Sequence, residues 1–221
     1  MKNLTPLLAF LILFITFSSC INRGCPPDEK VGEFDLTDIN KSFNPYSGAE
    51  KLIFKNANGD SLILKAKDGK TVTRDQICIE EICTETKIKG NTTCKYIASE
   101  THRYLFGDDA QTMLMDLLFG TDNSQKNAQK FYSFIRVGFS KGNYITSAGK
   151  ITDVHFAGNF DQETSILNNF LVEKNSVELN GKTFNNVLAY EDQPLKYYYT
   201  KEKGLVGFSD PDDTWHLDHI E

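Results

Sequence analysis

Four of the five cysteines in this chain, Cys25, Cys78, Cys83 and Cys94, together with its four histidines, are the side chains best equipped for chemistry. Their spacing decides which chemistry is open to them. In an oxidising compartment four cysteines close into two disulfides by one of three pairings. Cys78 and Cys83 enclose only Ile79-Glu80-Glu81-Ile82, which suits a tight-loop bridge and leaves Cys25 for Cys94, although spacing alone does not choose the pairing. The alternative is a zinc site built from Cys78, Cys83, Cys94 and His102, but gaps of four and ten residues between the cysteines lack the paired short spacing of structural zinc motifs. His216, Asp218 and His219 are the nearest approach to an acid–base cluster. On a strand the first two share a face and His219 points away, so the three read as an exposed polar tail. His102 and His155 stand singly in strand-like runs and read as structural histidines. No Gly-x-Ser-x-Gly elbow presents a serine nucleophile. Asn56 to Asp60 supplies one carboxylate where a calcium loop uses several, and Asp210-Pro211-Asp212-Asp213 reads as a turn initiator. These residues therefore yield no catalytic assignment, no metal ligand and no cofactor, and the chain reads as a non-enzyme.

Cys20 carries a different chemistry, set by what precedes it. Lys2 gives a basic start, residues 7–17 are an apolar stretch, and Ser18-Ser19 are small. An apolar stretch of about 11 residues falls well short of the roughly 20 needed to span a bilayer, so the segment reads as a secretory signal. A cysteine directly after small residues resembles the lipobox of bacterial lipoproteins. That resemblance implies a Cys20 thiol carrying diacylglycerol, cleavage before it, and acylation of the new amine. Ile21 in place of Asp at the following position implies an outer-membrane destination by the same family's sorting pattern. Residues 1–19 are then the signal, 20–30 a polar lipidated tether broken by Gly24, Pro26 and Pro27, and 31–221 one domain.

The elements that must position these side chains are strands. Turn signals recur between short runs of Ile, Val, Thr, Tyr and Phe, the pattern of an all-β antiparallel sandwich or partly open barrel built from successive hairpins, with at most a short helix. Asn180-Gly181 between Ser176–Leu179 and Lys182–Phe184 predicts a type I′ hairpin with Val177 opposite Phe184. Further hairpins join 52–55 to 62–65 and 196–200 to 205–208, the latter with Gly204 at a left-handed bulge position. A last strand carries Trp215 and Leu217 on one face. Residues 108–120 fit either a helical stripe or a buried strand, and the flanking strand-like runs favour strand. Ile166-Leu167 and Phe170-Leu171 are candidates for a short helix. Of Tyr197, Tyr198 and Tyr199, two share a face and one is left for solvent or a glycan. With 24 Lys and Arg against 30 Asp and Glu, the formal charge of −6 argues against a nucleic-acid partner.

The C-terminal hairpins, from Val177 to Val187, from Tyr197 to Phe208 and from Thr214 to Leu217, together with the Leu52 to Asp60 segment, resemble the hairpins of small β-rich lipoproteins of Bacteroidota. The resemblance implies an envelope domain and assigns no activity. It also implies an O-glycosylation candidate at Ser61, within Asp60-Ser61-Leu62. The reading that results is a non-catalytic lipid-anchored envelope or surface lipoprotein, joined to the membrane through Cys20, with an envelope protein or glycan as possible partner. A half-barrel carrier of a hydrophobic ligand and an envelope hydrolase are the alternatives.

Overall fold

The computed structural model describes residues 25–84, 92–122, 131–155, 169–192 and 194–221. Its elements are β1 (Glu29–Phe34), α1 (Asp38–Lys41), β2 (Lys51–Lys55), β3 (Ser61–Thr84), β4 (Thr92–Gly107), β5 (Met113–Asp122), β6 (Phe131–Lys141), β7 (Tyr144–His155), β8 (Val172–Leu179), β9 (Lys182–Tyr190), β10 (Lys196–Thr200), β11 (Gly204–Ser209) and β12 (Thr214–Ile220). They form one sheet in the order β7-β6-β5-β4-β3-β2-β12-β11-β10-β9-β8, antiparallel along this path, with β1 added in parallel to β4. The sheet curls strongly into a half-barrel, so the chain is all-β with one short helix among the described residues.

The curl follows from which face of each strand is apolar. In β5, Met113, Met115, Leu117 and Phe119 are buried while Leu114 is exposed, a strand period rather than a helical one. Residues 113–122 thus settle as strand. The buried rings of β6 meet those of strands far along the sheet: Phe139 lies 4.9 Å from Phe208 and 6.1 Å from Tyr197. Phe208 in turn meets Phe54 at 5.3 Å, edge to face. Buried hydroxyls tie the same layers, Tyr197 donating to the Val137 carbonyl at 2.8 Å and Tyr199 to that of Phe43 at 2.6 Å. These rings fill the space between the two walls.

The outer strands β7 and β8 approach at one point. Gly149 N–H donates to the Asn169 carbonyl at 3.0 Å and its own carbonyl accepts from Leu171 N–H at 2.8 Å, just before β8 begins. Lys150 and Glu173 add an ion pair at 2.6 Å across the same seam. Phe170 is therefore a bridge residue rather than part of a helix; Ile166 and Leu167 lie outside the described residues.

All three expected hairpins form. Val177 faces Phe184, and Asn180 and Gly181 both take positive φ. Lys51–Lys55 pairs with 61–65 as anticipated, and the β10–β11 register slips beside Tyr199, with Gly204 at φ +72°. A side chain at Gly204 would run into the Tyr46 hydroxyl, which accepts from Leu205 N–H at 2.7 Å.

Two features lie beyond those hairpins. First, β3 does not stop at Lys65 but runs to Thr84, pairing with β4 as far as Thr92. Beyond His102 the other edge of β4 passes from β5 to β1, which pairs over Lys95 to Ser99. The result is a three-stranded arm, β3-β4-β1, extending past the half-barrel. β1 begins at Glu29, so the end of the anticipated 20–30 tether belongs to the sheet. Second, α1 is capped by Thr37, whose hydroxyl accepts from Asn40 N–H at 3.2 Å.

Candidate functional site

The arm gathers the four cysteines of the described residues. Cys25 and Cys83 form a disulfide with Cα atoms 5.5 Å apart, joining residues 58 positions distant in sequence. This corrects the expected Cys78–Cys83 and Cys25–Cys94 pairing. The physical reason is extension: Cys78 and Cys83 lie on one strand, and at about 3.3 Å per residue their backbones stand about 16 Å apart, far beyond disulfide reach. Cys78 and Cys94 are thiols hydrogen-bonded to each other. Burial, then the Cys78 contact and the charges of Asp28 and Glu81, push the Cys94 thiol up to about 12. Its backbone N–H donates to Asp28 Oδ1 at 2.9 Å, and the neighbouring Lys95 pairs with Glu80 at 2.8 Å. Cys20 lies outside the described residues.

At the root of the arm a buried His102 meets a half-buried Glu100. His102 Nε2 lies 2.7 Å from Glu100 Oε1, and Glu100 Oε2 accepts from Leu36 N–H at 2.9 Å and faces Lys41 Nζ at 3.4 Å. The pair shares one face because residues two apart on a strand do. Burial pushes the Glu100 carboxyl up, but hydrogen bonds from His102 and Leu36 and the charges of His102 and Lys41 outweigh it, and the net value falls to about 2. Each of these partners is structural, linking β4 to the β1–α1 connection and to α1. Beside them Asn40, fully buried, donates to the Phe134 carbonyl at 2.9 Å and to Thr152 Oγ1 at 3.0 Å. A carboxyl whose folded pKa lies below its unfolded value adds stability that is present above about pH 4.5 and lost as pH falls toward 2. The urea midpoint is therefore expected to drop across that window, and Glu100→Gln to flatten the drop while lowering stability at pH 7. An unchanged acid slope in the variant would contradict this role.

The remaining candidates are dispersed. In β12 the register slips between Leu217 and His219, so strict alternation fails and the facing expected for His216, Asp218 and His219 is reset at the bulge. His219, half exposed, lies 3.0 Å from Asp218 and 3.5 Å from Glu221. His216 is half-buried; burial, then Lys182, lowers its pKa. His155 ends β7 in register with Phe131. Among the described residues no group of three His, Cys, Asp or Glu side chains is placed to hold a metal ion. Cys83 is committed to its disulfide, and His102 to Glu100.

Asn56 organises the turn before Ser61. Its Oδ1 accepts from Asn58 and Asp60 N–H at 3.0 and 2.9 Å, and its Nδ2 donates to Asp60 and Asp213 at 2.9 and 2.6 Å. The segment is an amide-held turn, with Ser61 exposed at the start of β3. Tyr197, Tyr198 and Tyr199 are all buried, which corrects the idea of one ring left for solvent or a glycan; the Tyr198 hydroxyl donates to Glu191 at 3.1 Å. A polar cleft of about 410 Å³ opens between β9 and the β10–β11 turn, lined by Thr183, Asn185, Asn186, Lys201 and Lys203 among others. Its wall of amides, hydroxyls, two ammoniums and the Glu202 carboxylate offers hydrogen bonds to a hydroxyl-rich group. No local pattern announces it, because its lining residues come from two hairpins and none is distinctive alone.

Comparison with protein-family models, with curated proteins and with solved structures finds no match to this chain.

Proposed function

We propose that this chain is a non-catalytic, lipid-anchored envelope lipoprotein, akin to the small β-rich lipoproteins of Bacteroidota, whose half-barrel is held off an outer membrane by its arm and serves a binding or structural accessory role. The observation that carries the reading is the Cys25–Cys83 disulfide. It joins the segment that follows Cys20 to the far end of the arm, so an anchor on Cys20 would be continuous with a braced sheet rather than with a loose linker. A stable disulfide also accords with export. The rings of Phe54, Phe139, Tyr197 and Phe208 between the walls favour binding on the surface over carriage of an acyl chain within. Two or three acyl chains hold a protein on a bilayer durably, where one holds it only reversibly.

Cys20→Ser is the test. The variant is expected to lose metabolic labelling by a fatty-acid analogue and to leave the detergent phase, because modification of the thiol comes first and both cleavage and acylation of the new amine depend on it. Labelling equal to that of the unaltered chain would overturn the reading.

A further inference from the structure

We propose that Cys78 and Cys94 are a second disulfide site, a cross-link between β3 and β4 on the face of the arm opposite the Cys25–Cys83 bridge. Cys78 is paired with Tyr96 across the antiparallel ladder, and Cys94, two residues along β4, turns its side chain to the same face as Tyr96. The register slips between Cys78 and Glu80, bending β3 at this point, and the two thiols are in hydrogen-bond contact. Cys83 sits opposite Thr93, the neighbour of Cys94, so successive pleats send the sulfurs of Cys83 and Cys94 to opposite faces. The geometry therefore selects one of the three possible pairings, Cys25 with Cys83 and Cys78 with Cys94.

The chemistry is thiol–disulfide exchange with a disulfide-bearing oxidant, either a small molecule or an envelope protein. One cysteine, as its thiolate, attacks a sulfur of the oxidant and releases one oxidant thiol. The second cysteine loses its proton and displaces the remaining oxidant sulfur. Two S–H bonds are exchanged for one S–S bond in the arm, and the oxidant's disulfide is reduced to two thiols. The pair does not resemble a catalytic dithiol. Such sites depress a thiol pKa to make a nucleophile at neutral pH, whereas burial raises that of Cys94. Once made, the bond has a structural part: two cross-links on opposite faces hold the arm's end, where one would leave it a hinge. The proposal draws on the reading above only for the source of oxidant.

The test is peptide mapping of the full chain, denatured without reductant, after exposure to oxidised glutathione. The expected result is complete loss of alkylation at Cys78 and Cys94 and a linked peptide containing both, lighter by two hydrogens than its reduced parts, with alkylation restored by reductant. Both thiols still fully alkylated, or either one linked to Cys25 or Cys83, would overturn the proposal. Because the oxidant is supplied in the tube, a negative outcome here speaks against the pairing and not against export, which the Cys20 variant tests separately. Cys78→Ala gives a second measurement: Cys94 should become fully alkylatable while the Cys25–Cys83 peptide persists. A new link from Cys94 to either partner in that variant would contradict the opposite-face geometry.

Discussion

Phe208→Ala is expected to cost the fold about 3–5 kcal/mol, the range for removing a fully buried aromatic ring whose surroundings close only partly over the space left behind. Phe208 is fully buried and touches Phe54, Phe139 and Trp215, which come from β2, β6 and β12. Its loss thus loosens both walls of the half-barrel at once. Against a typical domain stability of about 5–15 kcal/mol, such a loss is a large fraction of the whole. A urea midpoint shifted strongly downward with an unchanged slope is the signature. A loss below about 1 kcal/mol would mean that the rings do not join the walls as described.

The second large effect concerns the arm. Replacing Cys25 and Cys83 together by serine removes a cross-link over 58 positions, for which chain entropy gives a contribution of about 4 kcal/mol. The effect is expected to be local. The arm meets the half-barrel at its root, where Phe34 stacks on Phe131 at 6.5 Å, while the rings that hold β6 against β10 and β11 lie beyond it, so its far end should open while the half-barrel stays closed. Hydrogen exchange is the appropriate measurement. Amides of β1 and of residues 74–84 should exchange far faster in the double variant, and those of β5, β6, β10 and β11 should not change. Equal acceleration everywhere would show that the arm and half-barrel unfold as one unit, and no acceleration in the arm would show that the bridge is dispensable.

What was legible in the sequence is what neighbouring residues decide. Asn180-Gly181 and Gly204 declare their turns because few other residues tolerate the backbone they need, and from those turns the register of both flanking strands follows. The strand character of residues 113–122 was legible from its flanks. The arm was not, since β1 reaches β4 across more than sixty positions, as in Glu29 beside Lys95, and β3 continues past Lys65 with no local signal to say so. Nothing in Lys65 to Lys70 distinguishes a bulged strand that continues from a turn that ends it, and Gly69 with positive φ looks the same in both. The short α1 offers too few residues for a helical period, though Thr37 followed by Asp38 is a readable cap. The disulfide pairing is hidden for a related reason: nearness in sequence is nearness in space within loops but not along an extended strand.

The parallel seat of β1 on β4 has a mechanical consequence. A pull on the N-terminal side of Cys25 does not have to pass through the hydrogen bonds of β1, because the covalent bond to Cys83 carries it directly into β3. From there it spreads along a ladder that runs from Thr84 and Thr92 back to Lys65 and Gly107, where many bonds share the tension instead of parting one by one. The arm thereby takes tension like a mooring line spliced to its post: a tug from the N-terminal side loads the long β3–β4 hairpin and leaves the ring-filled half-barrel slack.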